Sequence, residues 1–235
     1  MSPGSRRDEV AAGLDAVRRR IETAAEAAGR DAAEVTLVAV TKFFPADDVR
    51  ILSDLGVTDV GENRHPEAAD KRAECDDLPL RWHYIGGLQS NKAAVVASYA
   101  DVVESVDRVK LVNALNRGAH GRAHPVDVLL QLSLDPPGRE GRAGAETELL
   151  PQLADAVEAA GMLRLRGLMA VAPLGEDPDA AFARLAEAHA AFVAVRPDAT
   201  WVSAGMSQDF EAAIRAGATH VRVGSAILGA RPTFK

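Results

Sequence analysis

Apolar positions along the chain change period repeatedly, and each change marks an element. Val10, Leu14, Val17 and Ile21 recur at helical spacing behind a Ser5–Asp8 capping box. They predict a helix from about Ser5 that stops at Gly29. In the run 35–41, Val35, Leu37, Val38, Ala39 and Val40 then look like a strand buried on both faces. Beyond it, short strands at 57–60, 82–86, 101–106, 126–134, 164–171, 200–205 and 219–224 alternate with amphipathic helices. The helices fall at 46–55, 66–75, 89–99, 108–117, 146–160, 178–195 and 208–216, and Gly56, Gly161 and Gly217 close three of them. A Gly/Arg/Pro-rich loop is predicted over 135–144.

Strand–helix alternation after an extra first helix predicts an α/β fold. The expectation is a single (β/α)8 TIM barrel over residues 1–235, with an extra N-terminal helix. A doubly wound open sheet is the alternative. Against it, no G-x-G-x-x-G follows the first strand and no G-x-x-x-x-G-K-[ST] occurs.

Composition narrows the function. Net charge is −7, which argues against nucleic acid and anionic membrane as partners. Aromatic residues are 4%, too few for a surface built on base stacking. No apolar run reaches transmembrane length, and the N-terminus lacks a signal-peptide core. Cys75, the single cysteine, sits among carboxylates and is expected to be an inert surface thiol in a reducing cytoplasm. His120 and His124 lie in a Gly/Pro loop with no third ligand in view, so no metal site is expected. Gln89, Asn91 and Lys92 start a predicted helix, either as a cap or as a polar rim for solutes.

The candidate chemistry begins at Lys42, at the end of the first predicted strand and followed by Phe43 and Phe44. In a barrel, strand C-termini form the active face. An amine among apolar neighbours is desolvated, gives up its proton more readily and attacks aldehydes. The plain alternative is a snorkelling side chain. The chain has only five lysines (Lys42, Lys71, Lys92, Lys110 and Lys235), so its positive charge is otherwise arginine and a lysine here points to a primary amine. At the far end, Ser203 and Gly205 lie at the end of the seventh strand with Ser207 just beyond it, and Gly224 and Ser225 precede a short helix over "AIL". Barrels commonly bind phosphate there, with Ser207 expected to cap the helix from Gln208. An amine for an aldehyde and a cradle for a phosphate together describe pyridoxal 5′-phosphate (PLP). Arg222, on the last strand, could face the ring nitrogen as a pure donor, the plain alternative being a salt bridge across the barrel.

The segments "VAVTKFFP", "GEN", "HYIGGLQSNK", "RGLMAV", "SAGMSQD" and "VRVGSAILGAR" occur in this order. Together they resemble the pyridoxal phosphate homeostasis protein family, whose fold is similar to the barrel of alanine racemase. The resemblance implies that Lys42 is the Schiff-base lysine. It implies that Ser203, Gly205, Met206, Ser207, Gly224 and Ser225 surround the phosphate, that Arg222 faces the pyridine nitrogen, and that Asn63 and Met169 line the cofactor. It further implies a cytoplasmic, monomeric PLP binder acting in vitamin B6 and amino-acid balance without turnover, with PLP-dependent apoenzymes as the partners to consider. The other reading is an amino-acid racemase-like PLP enzyme. Racemisation needs a second acid/base. The chain stops soon after the predicted barrel, and Tyr84 is the better of its two tyrosines for that task.

Overall fold

The computed structural model describes residues 5–135 and 144–230. Most of the predicted Gly/Arg/Pro loop therefore lies outside the described residues. The first helix, α1 (Arg6–Ala27), starts as its sequence requires. The Ser5 hydroxyl accepts from the Asp8 backbone N–H, and the Asp8 side chain accepts from Ser5 N in return. Its apolar stripe, from Val10 to Ala25, is buried.

Among the described residues eight strands follow: β1 (Thr36–Val40), β2 (Asp59–Glu62), β3 (Arg81–Tyr84), β4 (Val102–Val106), β5 (Val126–Gln131), β6 (Leu163–Met169), β7 (Trp201–Ser203) and β8 (His220–Val223). They pair in parallel in chain order, and β8 returns to β1 to close the barrel. Between them run α2 (Ala46–Asp54), α3 (Glu67–Glu74), α4 (Ser90–Tyr99), α5 (Val109–Ala119), α6 (Leu150–Glu158), α7 (Pro178–Val195) and α8 (Phe210–Arg215), and α9 (Ser225–Leu228) follows β8. No helix among the described residues is long and apolar enough to cross a membrane.

Three expectations need correction. The second strand starts two residues later than its apolar run, because Val38 and Val40 of β1 pair with Asp59 and Gly61. That register puts Gly61 and Glu62 inside the sheet. The helix after strand seven begins at Phe210 rather than Gln208, because the Asp209 carboxylate takes the Met206 N–H (2.6 Å) and holds the preceding turn open. Cys75 is buried rather than on the surface. Burial is the main cause that pushes its thiol up, and the neighbouring carboxylates Asp77 and Glu74 add to it as expected.

The main core lies between the barrel and its helices. The barrel interior is partly apolar, with Val102, Leu129 and Met169 in a separate cluster. Another part of the interior holds buried charged side chains, Asp59, His83, Glu104 and Arg222. Glu104 on β4 and Arg222 on β8 come from opposite sides of the barrel, yet approach to 3.7 Å.

Candidate functional site

A cavity of about 490 Å³ opens at the C-terminal ends of the strands. That is within the usual size range for small-molecule sites, roughly 300–1,000 Å³. Lys42, Met206, Ser207, Arg222, Gly224 and Ser225 all line it.

Lys42 stands two residues beyond β1, in a turn with unusual backbone. Phe43 has φ of 72°, the left-handed region that a bulky residue avoids at a cost of about 1–3 kcal/mol. The turn is held from α3. Glu67 accepts from Phe43 N (3.1 Å), and Lys71, one turn on, donates to the Thr41 carbonyl (2.9 Å). Lys71 also pairs with buried Glu62 at 2.5 Å, and the Thr41 hydroxyl donates to the same carboxylate oxygen at 2.6 Å. Burial pushes the Glu62 carboxyl above its ordinary range, although Lys71 pulls the other way. Arg64 and Arg6 lie over the rings of Phe43 and Phe44. Both aromatics line the cavity beside Lys42.

The opposite wall comes from the β7 and β8 ends. Gly205 has φ of 87°, and a Cβ there would lie 2.6 Å from Phe210 Cα, so only glycine lets the chain turn this tightly onto α8. Because α8 starts late, Ser207 does not cap it. Its hydroxyl instead faces α9, 3.2 Å from the Ser225 hydroxyl and 3.4 Å from Ala226 N. Gly224 allows close backbone approach, since a Cβ would sit 2.9 Å from the Val40 carbonyl oxygen.

The extra helix α1 clasps this wall from behind. Arg20 donates to the Ser207 carbonyl (3.2 Å) and pairs with Glu211 (2.7 Å). Arg6 donates to the carbonyl of Leu228, the last residue of α9 (3.1 Å), and pairs with Asp48 on α2 (2.7 Å).

Arg222 forms the floor. It donates to the Ser203 hydroxyl (2.6 Å) and to the Ala170 carbonyl (2.9 Å). Ser203 donates in turn to Glu104 (2.6 Å). Burial pulls Arg222 below the ordinary guanidinium range, and Glu104 opposes that shift. Glu104 is itself pushed up by burial, but His83, Arg222 and Ser203 together bring it down to about 2.

Four of the ten expected residues are not in the cavity wall. Ser203 is fully buried and spent on Arg222 and Glu104, so it supports the floor rather than the phosphate wall. Met169 packs inside the barrel with Val102 and Leu129. Gly205 acts through its turn. Asn63, just beyond β2, keeps a buried side-chain oxygen that finds no hydrogen-bond partner among the described residues. Gln89, Asn91 and Lys92 are exposed at the start of α4, away from the cavity. Ile85, Gln208, Asp209 and the 172–176 segment line the cavity without having been singled out. None carries a spacing signal; they are neighbours only in space.

The model of the family described as "Alanine racemase, N-terminal domain" matches residues 13–232. The chain is 42% identical to the pyridoxal phosphate homeostasis protein of Mycobacterium tuberculosis, over 96% of this chain and 94% of that protein. It is 43% identical to the protein of that name in Pseudomonas aeruginosa, over 94% and 96%. Among solved structures, PipY of Synechococcus elongatus with PLP bound superposes with a TM-score of 0.78 at 34% identity, covering 94% of this chain and all of PipY. The barrel, the cavity at its mouth and these matches converge: the chain belongs to the pyridoxal phosphate homeostasis protein family, on the alanine racemase N-terminal barrel.

Proposed function

We propose that this protein binds pyridoxal 5′-phosphate in the barrel-mouth cavity and serves vitamin B6 and amino-acid homeostasis by holding the cofactor rather than turning over a substrate. One observation carries the reading: a primary amine, a pair of hydroxyls at a helix start and a donor-only guanidinium share a single cavity. The residues fit the group. Lys42 and Arg222 line the same cavity as the Ser207 and Ser225 hydroxyls, which lie 3.2 Å apart beside the Ala226 N–H, a donor set suited to an aldehyde, a basic ring nitrogen and a phosphate. PLP supplies an aldehyde and an aromatic ring with a basic nitrogen. Lys42 is the amine for the aldehyde. Ser207, Ser225 and the backbone around Gly224 hold the phosphate, with Met206 at its edge. Arg222 meets the ring nitrogen as a donor that stays charged.

The cavity chemistry favours holding over turnover. Its lining includes no tyrosine, histidine or cysteine among the described residues, so a second proton carrier beside Lys42 is not in view. Its acids are engaged: Asp209 accepts from Met206 N, and Arg184 holds the Glu176 carboxyl below its ordinary range. Tyr84, the last residue of β3, is buried in the main core and outside this lining.

The test is titration with PLP followed by borohydride reduction and peptide mapping, which should label Lys42. Deuterium exchange at Cα of a panel of L-amino acids should show no protein-dependent rate. Label on another lysine overturns the Lys42 assignment. Exchange on the order of 1 s⁻¹ or faster that vanishes in Lys42→Ala overturns the holding role.

A further inference from the structure

Arg222 is the outer end of a buried chain of alternating charge. Behind it stands Glu104, which accepts from Ser203 on one oxygen and meets His83 Nδ1 on the other at 2.7 Å. The far side of the His83 ring, Nε2, meets Asp59 at 2.9 Å. Asp59 lies near Arg81 at the other end of the barrel (3.8 Å) and accepts from the Thr58 hydroxyl. Arg222, Glu104, His83 and Asp59 come from four strands and are each no more than 5% exposed. Burial alone would drive the proton off His83. The bonds to Asp59 and Glu104 outweigh it and hold the ring above its ordinary value. A carboxylate on each nitrogen makes both of them donors.

Such an arrangement is expensive. Each buried ion forfeits several kcal/mol of hydration, and well-packed apolar residues in its place are often as stable or more so. The same barrel fills another part of its interior with Val102, Leu129 and Met169. A charged relay beneath the cavity therefore calls for a role that packing does not supply. It gives Arg222 an anchored counter-ion on the side away from the cavity. Without Glu104, the guanidinium would keep only a hydroxyl and a carbonyl, and its stem would be free to turn.

We infer that Glu104 is a positioning residue that fixes the Arg222 guanidinium at the cavity floor for recognition of a ring nitrogen, with His83 and Asp59 fixing Glu104 in turn. The inference rests on the cavity being a PLP site. It extends that reading from the residues lining the cavity to a second layer that touches no ligand. Ser203 is the hinge of the device, accepting from Arg222 and donating to Glu104.

The test compares PLP with 1-deaza-PLP, which keeps the aldehyde and phosphate but has carbon in place of the ring nitrogen. Wild type should prefer PLP by roughly tenfold, the worth of one hydrogen bond to a charged group. Glu104→Gln should bring that ratio close to one and leave deaza-PLP affinity nearly unchanged. Glu104→Asp should restore part of the preference. In the ligand-free protein, ¹⁵N NMR of the arginine side chains should show slow Arg222 guanidinium rotation, lost in Glu104→Gln. If Glu104→Gln does not fold, His83→Gln, two residues removed from the cavity, carries the same two measurements. A PLP/deaza-PLP ratio equal to wild type in the folded variant overturns the inference. Should wild type bind neither compound, the PLP reading fails, and the NMR comparison still decides whether Glu104 holds Arg222.

Discussion

The ammonium of Lys71 lies 2.9 Å from the carbonyl oxygen of Thr41, the residue immediately before Lys42. Glu67, one turn earlier on α3, takes the N–H of Phe43, the residue immediately after. One face of one helix thus grips both neighbours of the candidate reactive lysine. A left-handed Phe43 persists because the turn is over-determined from outside.

Removing one partner of the Lys71–Glu62 pair should be costly. Lys71→Met leaves a buried carboxylate without its cation and should destabilise the protein by about 3–5 kcal/mol in urea unfolding. Adding Glu62→Leu should recover most of the loss, since the orphan charge goes too. A single variant as stable as wild type would show that the pair does not hold the Lys42 turn.

Lys42→Ala should abolish the visible absorption that PLP gains on bonding to a protein amine, while PLP still binds through its phosphate. Retention of the full band in the variant would move the bond to another lysine, and peptide mapping after reduction would identify it.

The hydroxyls of Ser207 and Ser225 should discriminate phosphate from its absence. Each hydrogen bond to a charged group is worth about 1.5–3 kcal/mol. Ser207→Ala with Ser225→Ala should therefore weaken PLP by at least about tenfold and leave free pyridoxal nearly unchanged, as read by fluorescence titration. Equal weakening of both ligands would contradict the phosphate role of this wall.

Stability should fall on acidification well before the surface carboxylates titrate. His220 is buried against Trp201, with ring centroids 4.3 Å apart, and burial lowers it from 6.5 to about 4. A group depressed in the fold contributes fully above its unfolded value and loses that contribution as pH falls. The loss should run from about pH 6.5 to pH 4 and total roughly 3 kcal/mol. Glu104 has the same sign in a lower window, from its ordinary 4.5 to about 2. His83 has the opposite sign: its contribution is complete below its ordinary value and lost as pH rises through its raised one. Urea midpoints measured across pH should lose the upper acid limb in His220→Phe. An unchanged limb would place the acid sensitivity elsewhere.

Much of this was readable from residue order, for identifiable reasons. The Ser5 cap and the stripe from Val10 to Ile21 are local signals, and α1 obeys them. The run 178–195 matches α7, whose start is fixed locally by Pro178 and the Asp177 cap. Gly224 and Ser225 announced the start of α9. Side-chain direction at strand ends was not readable. Ser203 and Ser207 look alike in "SAGMSQD", yet one points into the barrel and the other into the cavity wall. The pairing of Lys71 with Glu62 was also hidden, since a lysine on a short polar helix reads as a solvated one. The relay through His83 joins strands that no short motif spans.

The clasp of α1 on the cavity wall sets the order in which parts of the molecule let go. Arg6 opens this helix and Arg20 lies two turns before its end, and each holds a carbonyl of the cavity wall. The barrel closes through its own ladder, from β8 back to β1, without α1. Helix ends fray at lower free energy than central strands open. Warming should thus slacken the wall while the sheet stays shut, so that ligand escape precedes global melting. Amides of α1 should exchange hydrogen for deuterium sooner than those of β1 and β8, and the temperature at which PLP leaves should follow α1 and not the barrel.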